Sequence, residues 1–266
     1  MDLGVAGKSY IIVGGTRGMG WAAARCLAED GARLALVGRN VERSQSRAAE
    51  LADEFNTEVI GLGGDAAIAG EIEQAIEDAI RQIGPIRGLL TTPGVTDQNG
   101  TLLEMNEEDW ASNYQNVMMS QVRCCKAIVP HLLENGGGTL VTTSAYSSRV
   151  AKPFLFGYAS FKAALTNFTK NLCKTYGAQG IRANCVCPGA IETDVLRERR
   201  KTAAEEYNLP VDEALEHVMF EEWKMPVAMR SIGKPEQVGE LMAFCLSERA
   251  AYMTGAIINI DGGSDF

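Results

Sequence analysis

No stretch of this chain approaches the ~20 consecutive apolar residues that a membrane-spanning helix requires. No Cys-x-x-Cys pair occurs among its seven cysteines, Cys26, Cys124, Cys125, Cys173, Cys185, Cys187 and Cys245. The first absence argues for a soluble protein. The second argues against a zinc site, and because most of the cysteines fall inside apolar helix and strand patterns, they are expected to be buried, reduced thiols with neither metal nor disulfide framework. Proline-, serine- or glycine-rich tracts, internal repeats and long charge blocks are also missing, so nothing marks a linker and residues 1–266 are expected to form a single domain. A basic excess is lacking too. The net charge of -9 argues against a nucleic-acid surface while leaving room for a nucleotide in a local cleft. The first apolar segment enters a glycine-rich turn directly, leaving no room for a signal peptide, and a cytoplasmic location is expected.

What the chain does contain is a regular alternation. Tyr10-Ile11-Ile12-Val13 is a short apolar run with β-branched residues, the pattern of a buried strand. It enters Gly14-Gly15-Thr16-Arg17-Gly18-Met19-Gly20 ahead of a helical pattern over 21–30. Further strands are predicted at 33–37, 58–61, 88–91, 139–143, 182–187 and 256–260, and helices at 42–55, 68–83, 109–133, 158–176 and 235–246. Strand and helix in turn build a parallel sheet with right-handed crossovers, which binds ligands beyond the C-terminal ends of its strands. The expected fold is α/β: a single-domain, doubly wound parallel sheet of Rossmann type with helices on both faces.

The glycine turn lies where such a fold receives an anion. Gly14, Gly18 and Gly20, with Thr16, Arg17 and Met19 between them, let the backbone approach a pyrophosphate, and the helix end offers unpaired N–H groups and partial positive charge. Dinucleotide binding follows from that placement. A second cluster, Tyr158-Ala159-Ser160-Phe161-Lys162, puts a phenol and an ammonium four residues apart on one helix face. A free phenol titrates near 10, about three units too high for proton transfer at neutral pH, and a neighbouring cation lowers that value. The pair suits movement of a proton onto or off a carbonyl oxygen. On an ordinary amphipathic helix the same residues serve packing and solubility, so the pair takes its meaning from the cofactor site.

Taken in order, the motifs resemble the short-chain dehydrogenase/reductase family over essentially the whole chain. They are Gly14-x-x-x-Gly18-x-Gly20, a serine ahead of Tyr158-x-x-x-Lys162, Ile181-Arg182-Ala183-Asn184 leading into Pro188-Gly189, and Tyr252-Met253-Thr254-Gly255 before Asp261-Gly262-Gly263. The resemblance implies NAD(P)-dependent oxidoreduction of an alcohol and its carbonyl in a homo-oligomer, a tetramer or dimer. It implies Tyr158 as general acid in reduction and base in oxidation, Lys162 on the nicotinamide ribose and lowering the tyrosine pKa, and Ser144 bonded to the substrate oxygen. Pro188, Gly189, Ile191 and Thr193 resemble the segment against the nicotinamide. Asp65 resembles the residue that contacts the adenine, or caps the following helix.

Three departures accompany the match. The family's Asn-Asn-Ala-Gly is Thr91-Thr92-Pro93-Gly94 here, retaining only Gly94. Ungapped counting sets the family serine on Ala145, one residue after Ser144. A one-residue loop insertion would restore Ser144, and otherwise Ser147, Ser148 or Tyr146 supplies the hydroxyl. Counting from Trp110 sets the helix asparagine on Val117, and a helix bulge is needed to present Asn116 as the catalytic residue.

Cofactor preference follows from charge. An acidic residue about 20 positions past the glycine turn holds a ribose 2′-hydroxyl, but Val37-Gly38-Arg39-Asn40 carries no carboxylate. Arg39 and Arg17 suit a 2′-phosphate, so NADP(H) is preferred, with NAD(H) as the alternative. A helical substrate lid over 194–232 is charged in its first half and carries Met219, Phe220, Trp223, Met225 and Met229 later, while Phe154, Leu155 and Phe156 precede the tyrosine. These suit a moderately apolar ketone or secondary alcohol, or else a subunit contact. The expected activity is that of a carbonyl reductase moving a hydride between NADP(H) and such a small molecule. The alternatives are a 3-oxoacyl thioester reductase and a catalytically weak dinucleotide-binding sensor or scaffold. No nucleic-acid or membrane partner is expected.

Overall fold

Among the described residues, seven strands form one parallel sheet: β1 (Ser9–Val13), β2 (Arg33–Gly38), β3 (Val59–Gly63), β4 (Ile86–Thr91), β5 (Gly138–Thr143), β6 (Ile181–Pro188) and β7 (Ile257–Ile260). Their order across the sheet is β3-β2-β1-β4-β5-β6-β7. This is a computed structural model, which describes residues 2–94, 98–222, 225 and 227–264. The order reverses direction between β1 and β4, the switch point at which a doubly wound sheet opens a crevice for a ligand.

Nine α-helices cover the sheet among the described residues: α1 (Gly18–Glu29), α2 (Val41–Phe55), α3 (Glu71–Ile83), α4 (Glu107–Asn113), α5 (Ser120–Glu134), α6 (Phe156–Tyr176), α7 (Asp194–Tyr207), α8 (Val211–His217) and α9 (Pro235–Leu246). Two apolar cores flank the sheet, and the strands feed both by alternation. In β1, Tyr10 and Ile12 join Leu27, Met242 and Leu246 of α1 and α9, whereas Ile11 and Val13 join Ile72, Ile76, Ile128 and Leu132 of α3 and α5. That two-sided burial is why the strands read as continuous apolar runs rather than alternating ones. The result is the doubly wound Rossmann fold.

Two expected helices differ from those observed. The third begins at Glu71 rather than 68, because Asp65 Oδ1 accepts from Ala67 N at 2.8 Å and Glu73 Oε2 accepts from Gly70 N at 2.8 Å, fixing a turn ahead of the helix. The long amphipathic segment over 109–133 is three pieces, α4, a π-helical stretch at Tyr114–Met119, and α5. No helix among the described residues is long and apolar enough to cross a membrane, and none of their side chains form a cluster of three or more potential metal ligands. The seven cysteines are free; Cys26 and Cys173 are only half-buried, at odds with the expectation for those two.

Candidate active site

The glycine turn follows β1 and is shaped by what stands against it. Gly14 has a φ of 82°, and a Cβ there would strike Thr92 Oγ1; a Cβ on Gly20 would strike the Gly14 carbonyl oxygen. Only glycine fits these two places, one for backbone conformation and one for space. Thr92, standing where the resemblance expects an asparagine, donates from N and Oγ1 to Val13 O, both at 3.0 Å, and so ties the end of β4 to the turn. The first turn of α1 contains no acidic residue, and no side chain caps it. Its N–H groups therefore face an anion without a competing carboxylate. Thr16 is buried, and Met19 packs on the core.

Gly38 ends β2 beside this turn, where a Cβ would lie 3.1 Å from Ser44 Oγ and 3.2 Å from Thr16 Cγ2. Arg39 follows it and is exposed, as is Arg17, and neither forms an ion pair among the described residues. Both guanidiniums are available to a phosphate at the edge of the turn. Asp65 is held by its own turn and does not cap α3, whose N-cap is Gly70.

Lys162 and Tyr158 lie on α6, with the Lys162 ammonium 5.4 Å from the centre of the Tyr158 ring. Lys162 is 2% exposed, and its Nζ donates to Thr143 O at 2.9 Å. Gly94, with a φ of 128°, allows that approach, since a Cβ would lie 2.9 Å from Lys162 Nζ. Burial lowers the Lys162 pKa to about 8, opposed by nearby Cys185 and Cys187. The Tyr158 phenol is pushed up, first by burial and then by Tyr146. This corrects the expectation that the ammonium would depress the tyrosine: in the protein alone, removing the phenolate from water outweighs the cation's attraction.

The two residues expected to complete the site are engaged elsewhere. Ser144 is buried, and its Oγ donates to the main-chain carbonyl of Lys162 at 2.6 Å, bracing α6 rather than meeting the phenol. Asn116 does lie in a π-helical bulge, but its amide donates back to Ser112 O at 3.0 Å and to Ser112 Oγ at 3.2 Å. Val117, fully buried, is the residue against Gly94, its Cα 3.6 Å from the position of a Cβ there. Of the fallback hydroxyls, Ser147 is buried without a hydrogen-bond partner among the described residues. Tyr146 interacts electrostatically with Tyr158, and its own pKa rises to about 12 on burial; Lys152 Nζ lies 5.4 Å from its ring centre.

Gln121 is a site residue the sequence reading missed. Fully buried on α5, it accepts from Thr143 N at 2.9 Å and donates to Thr143 O at 2.7 Å and Pro93 O at 3.1 Å. It thereby fixes the carbonyl that holds Lys162 to the loop carrying Gly94. Its signal was an uncharged polar residue inside the apolar stripe of a helix.

Pro188 ends β6, and Gly189 leans on the Asp-Gly-Gly ending: its N donates to Ile260 O at 3.0 Å, and a Cβ would come within 2.7 Å of Asp261 Cα. Ile191 is buried and bridges to Gly233, and Thr193 Cγ2 lies 3.5 Å from where a Cβ would stand on Gly18. The segment thus closes on the glycine turn. Beyond it α7 and α8 pack through Ala203, Ala214 and Val218, with Arg200 bonded to Glu192 at 2.8 Å and Glu216 at 2.8 Å. The apolar residues of this lid divide: Met219 is buried, Phe220 and Met225 are half-buried, and Met229 is 70% exposed. Trp223 lies outside the described residues.

Residues 13–265 match the family described as enoyl-(acyl carrier protein) reductase. The chain is 28% identical to a 3-oxoacyl-(acyl-carrier-protein) reductase of Chlamydia muridarum over 96% of both chains. It is 29% identical to dehydrogenase/reductase SDR family member 4 of Bos taurus, over 97% of this chain and 87% of that protein. Among solved structures, L-sorbose reductase from Gluconobacter frateurii, complexed with NADPH and L-sorbose, superposes with a TM-score of 0.92 at 28% identity, covering 99% of this chain and 98% of that one.

Proposed function

We propose, from the premise that this chain belongs to the short-chain dehydrogenase/reductase family of oxidoreductases, that it is an NADP(H)-dependent carbonyl reductase acting on a ketone or the corresponding secondary alcohol. The observation that carries the reading is the meeting, at the C-terminal ends of β1, β4 and β5, of a glycine cradle that side chains would fill with a half-buried Tyr158 beside a buried Lys162. The residues fit a dinucleotide: Gly14, Gly18, Gly20, Thr16 and Met19 at the pyrophosphate, Arg17 and Arg39 at a 2′-phosphate, and Asp65 toward the adenine. Gly94, Pro188, Gly189, Ile191 and Thr193 would stand along the nicotinamide. NADPH in the similar L-sorbose reductase supports the cofactor choice. The bound nicotinamide supplies or accepts the hydride. Tyr158 would deliver the proton to the carbonyl oxygen, and since burial raises its phenol in the protein alone, the Lys162 ammonium and the bound nicotinamide would have to bring it down for that transfer. Lys162 binds the ribose hydroxyls and is held in place by Thr143 O.

A second reading, a dinucleotide sensor with weak catalysis, is favoured by Val117 and Ala145 at the places where the family's asparagine and serine are expected. The two separate in a spectrophotometric screen following nicotinamide absorbance with NADPH and NADH against apolar ketones, L-sorbose and an acetoacetyl thioester. Turnover of any ketone at rates well above background supports the reductase. Tight NADPH binding with no turnover across the panel supports the sensor, and turnover confined to the thioester makes the chain a 3-oxoacyl thioester reductase. The exposed Leu102, Leu103, Phe154 and Phe156 support a homo-oligomer, and a cytoplasmic location accompanies the reading.

A further inference from the structure

At the N-terminal edge of the sheet, opposite the end that carries Gly14 and Thr143, the strand starts line an open cavity of about 650 Å³. Tyr10, Arg87, Ile181 and Arg182 line it from β1, β4 and β6, and Leu246 at the end of α9 and Glu248 and Tyr252 beyond it complete the rim. Tyr10 is the unusual member. Its ring lies over Gly88, its register partner on β4, where a Cβ would come within 3.0 Å of Tyr10 Cδ1. The residue is 1% exposed, and its hydroxyl, which makes no hydrogen bond among the described residues, is not among the fully buried oxygens and so opens onto the cavity. The phenol's charged neighbours are Glu248, Arg87 and Arg182, and burial raises its pKa to about 12, so it stays a proton donor at neutral pH.

Charge at the cavity is unbalanced. Glu248 is taken up by Lys8, whose Nζ lies 2.8 Å from Oε1. Neither arginine forms an ion pair among the described residues. Arg182 is fixed in place by donating to the carbonyls of Cys245 at 3.1 Å, Met253 at 3.2 Å and Ser247 at 3.0 Å. Arg87 donates to Asn135 O at 3.1 Å, leaving most of the five donors of a guanidinium uncommitted. Beside these donors stands the ring of Tyr252, which is fully exposed, while Ile181 and Leu246 at the cavity floor are buried in the core.

We propose that this cavity is a second ligand site that binds a small organic carboxylate, with Arg87 and the Tyr10 hydroxyl holding the carboxylate and the exposed ring of Tyr252 covering the hydrocarbon or aromatic body. An inorganic anion would satisfy the donors and leave the Tyr252 ring bare; a neutral isostere would cover the ring and leave the guanidinium without its counter-charge. The site is independent of the dinucleotide reading.

Calorimetric titration of the full chain with benzoate, benzamide and inorganic phosphate tests it. Benzoate is expected to bind saturably, with benzamide and phosphate each weaker by about tenfold or more. Arg87→Gln should weaken benzoate by about tenfold and Tyr10→Phe severalfold, while circular dichroism shows both variants folded, the second keeping the ring that packs on Gly88. Absence of saturable benzoate binding overturns the proposal. So do unchanged affinities in both folded variants, equal binding of benzamide, which removes the role of charge, and equal binding of phosphate, which removes the role of the Tyr252 ring.

Discussion

At the scale of single residues, the decisive competition is between desolvation and attraction at Lys162. Its pKa falls from 10.5 to about 8, a penalty of roughly 3 kcal/mol on the charged form in the folded state. The hydrogen bond to Thr143 O returns about 1 kcal/mol. A Lys162→Met variant should therefore be more stable near pH 7 by roughly 2 kcal/mol, because Thr143 O keeps its bond from Gln121, while turnover is lost. The sign with pH is fixed. The folded pKa lies below the unfolded one, so the unfolded chain binds more protons between the two values, and wild-type stability rises with pH over that interval. The variant's advantage should accordingly be full below about 8 and fade toward 10.5, measurable as denaturant midpoints of both proteins at neutral and alkaline pH. A constant gap would show that folding leaves the Lys162 pKa unshifted. Tyr158→Phe should lower kcat by about 10²–10⁴ with NADPH affinity unchanged. Ser144→Ala should cost turnover far less than Tyr146→Phe, since the Ser144 hydroxyl serves the α6 backbone; the reverse order of kcat values would restore Ser144 to the substrate. The Tyr158–Lys162 pair was legible because a helix places i and i+4 together whatever its surroundings. Ser144 and Asn116 were not, because residue counting is blind to which backbone acceptor a short hydroxyl or amide finds first, as Ser144 does at Lys162 O and Asn116 at Ser112 O.

At the scale of elements, the glycine turn shows how local rules yield to contact. Alanine is favoured over glycine inside a helix by about 1 kcal/mol, and Gly20 lies in α1 with no positive φ to explain it. A Cβ there would strike the Gly14 carbonyl, which is backbone and cannot rotate away. Gly20→Ala should thus lower the melting temperature despite the better helix propensity, and weaken NADPH by about tenfold or more as the turn is forced open. Fluorescence titration of both proteins measures it; an unchanged affinity would mean that the turn does not cradle the cofactor. Strand positions were legible to within about two residues because each is an apolar run between turn residues. The break of the 109–133 segment into α4, a π-helical stretch and α5 was not. Periodicity over so long a window averages out a single inserted residue; the bulge is present, yet Val117, where ungapped counting set the asparagine, still lies against Gly94.

At the scale of the whole molecule, the alternation of strands and helices was enough to give the doubly wound sheet, since right-handed crossovers leave few other arrangements. The cavity at the N-terminal edge was beyond reach, because Tyr10, Arg87, Arg182 and Glu248 are brought together only by strand order. Cofactor choice also becomes a whole-molecule property through linkage: a ligand that binds only the folded chain at a hundredfold excess over Kd stabilises it by about 2.7 kcal/mol. For a chain of this length that is a rise of roughly 5–10 °C in melting temperature. NADPH should produce that rise and NADH a smaller one at the same concentration, because Arg17 and Arg39 are exposed beside the turn and residues 37–40 at the end of β2 carry no carboxylate. Arg39→Asp places a carboxylate at the end of β2, repelling a 2′-phosphate and accepting from a 2′-hydroxyl. The variant should reverse the order of the two shifts while its melting temperature without cofactor stays close to that of the parent, Arg39 being exposed with no ion pair among the described residues. Parallel melting curves of the two proteins with each cofactor decide it, and an unreversed order would remove Arg39 from cofactor selection and leave that role to Arg17.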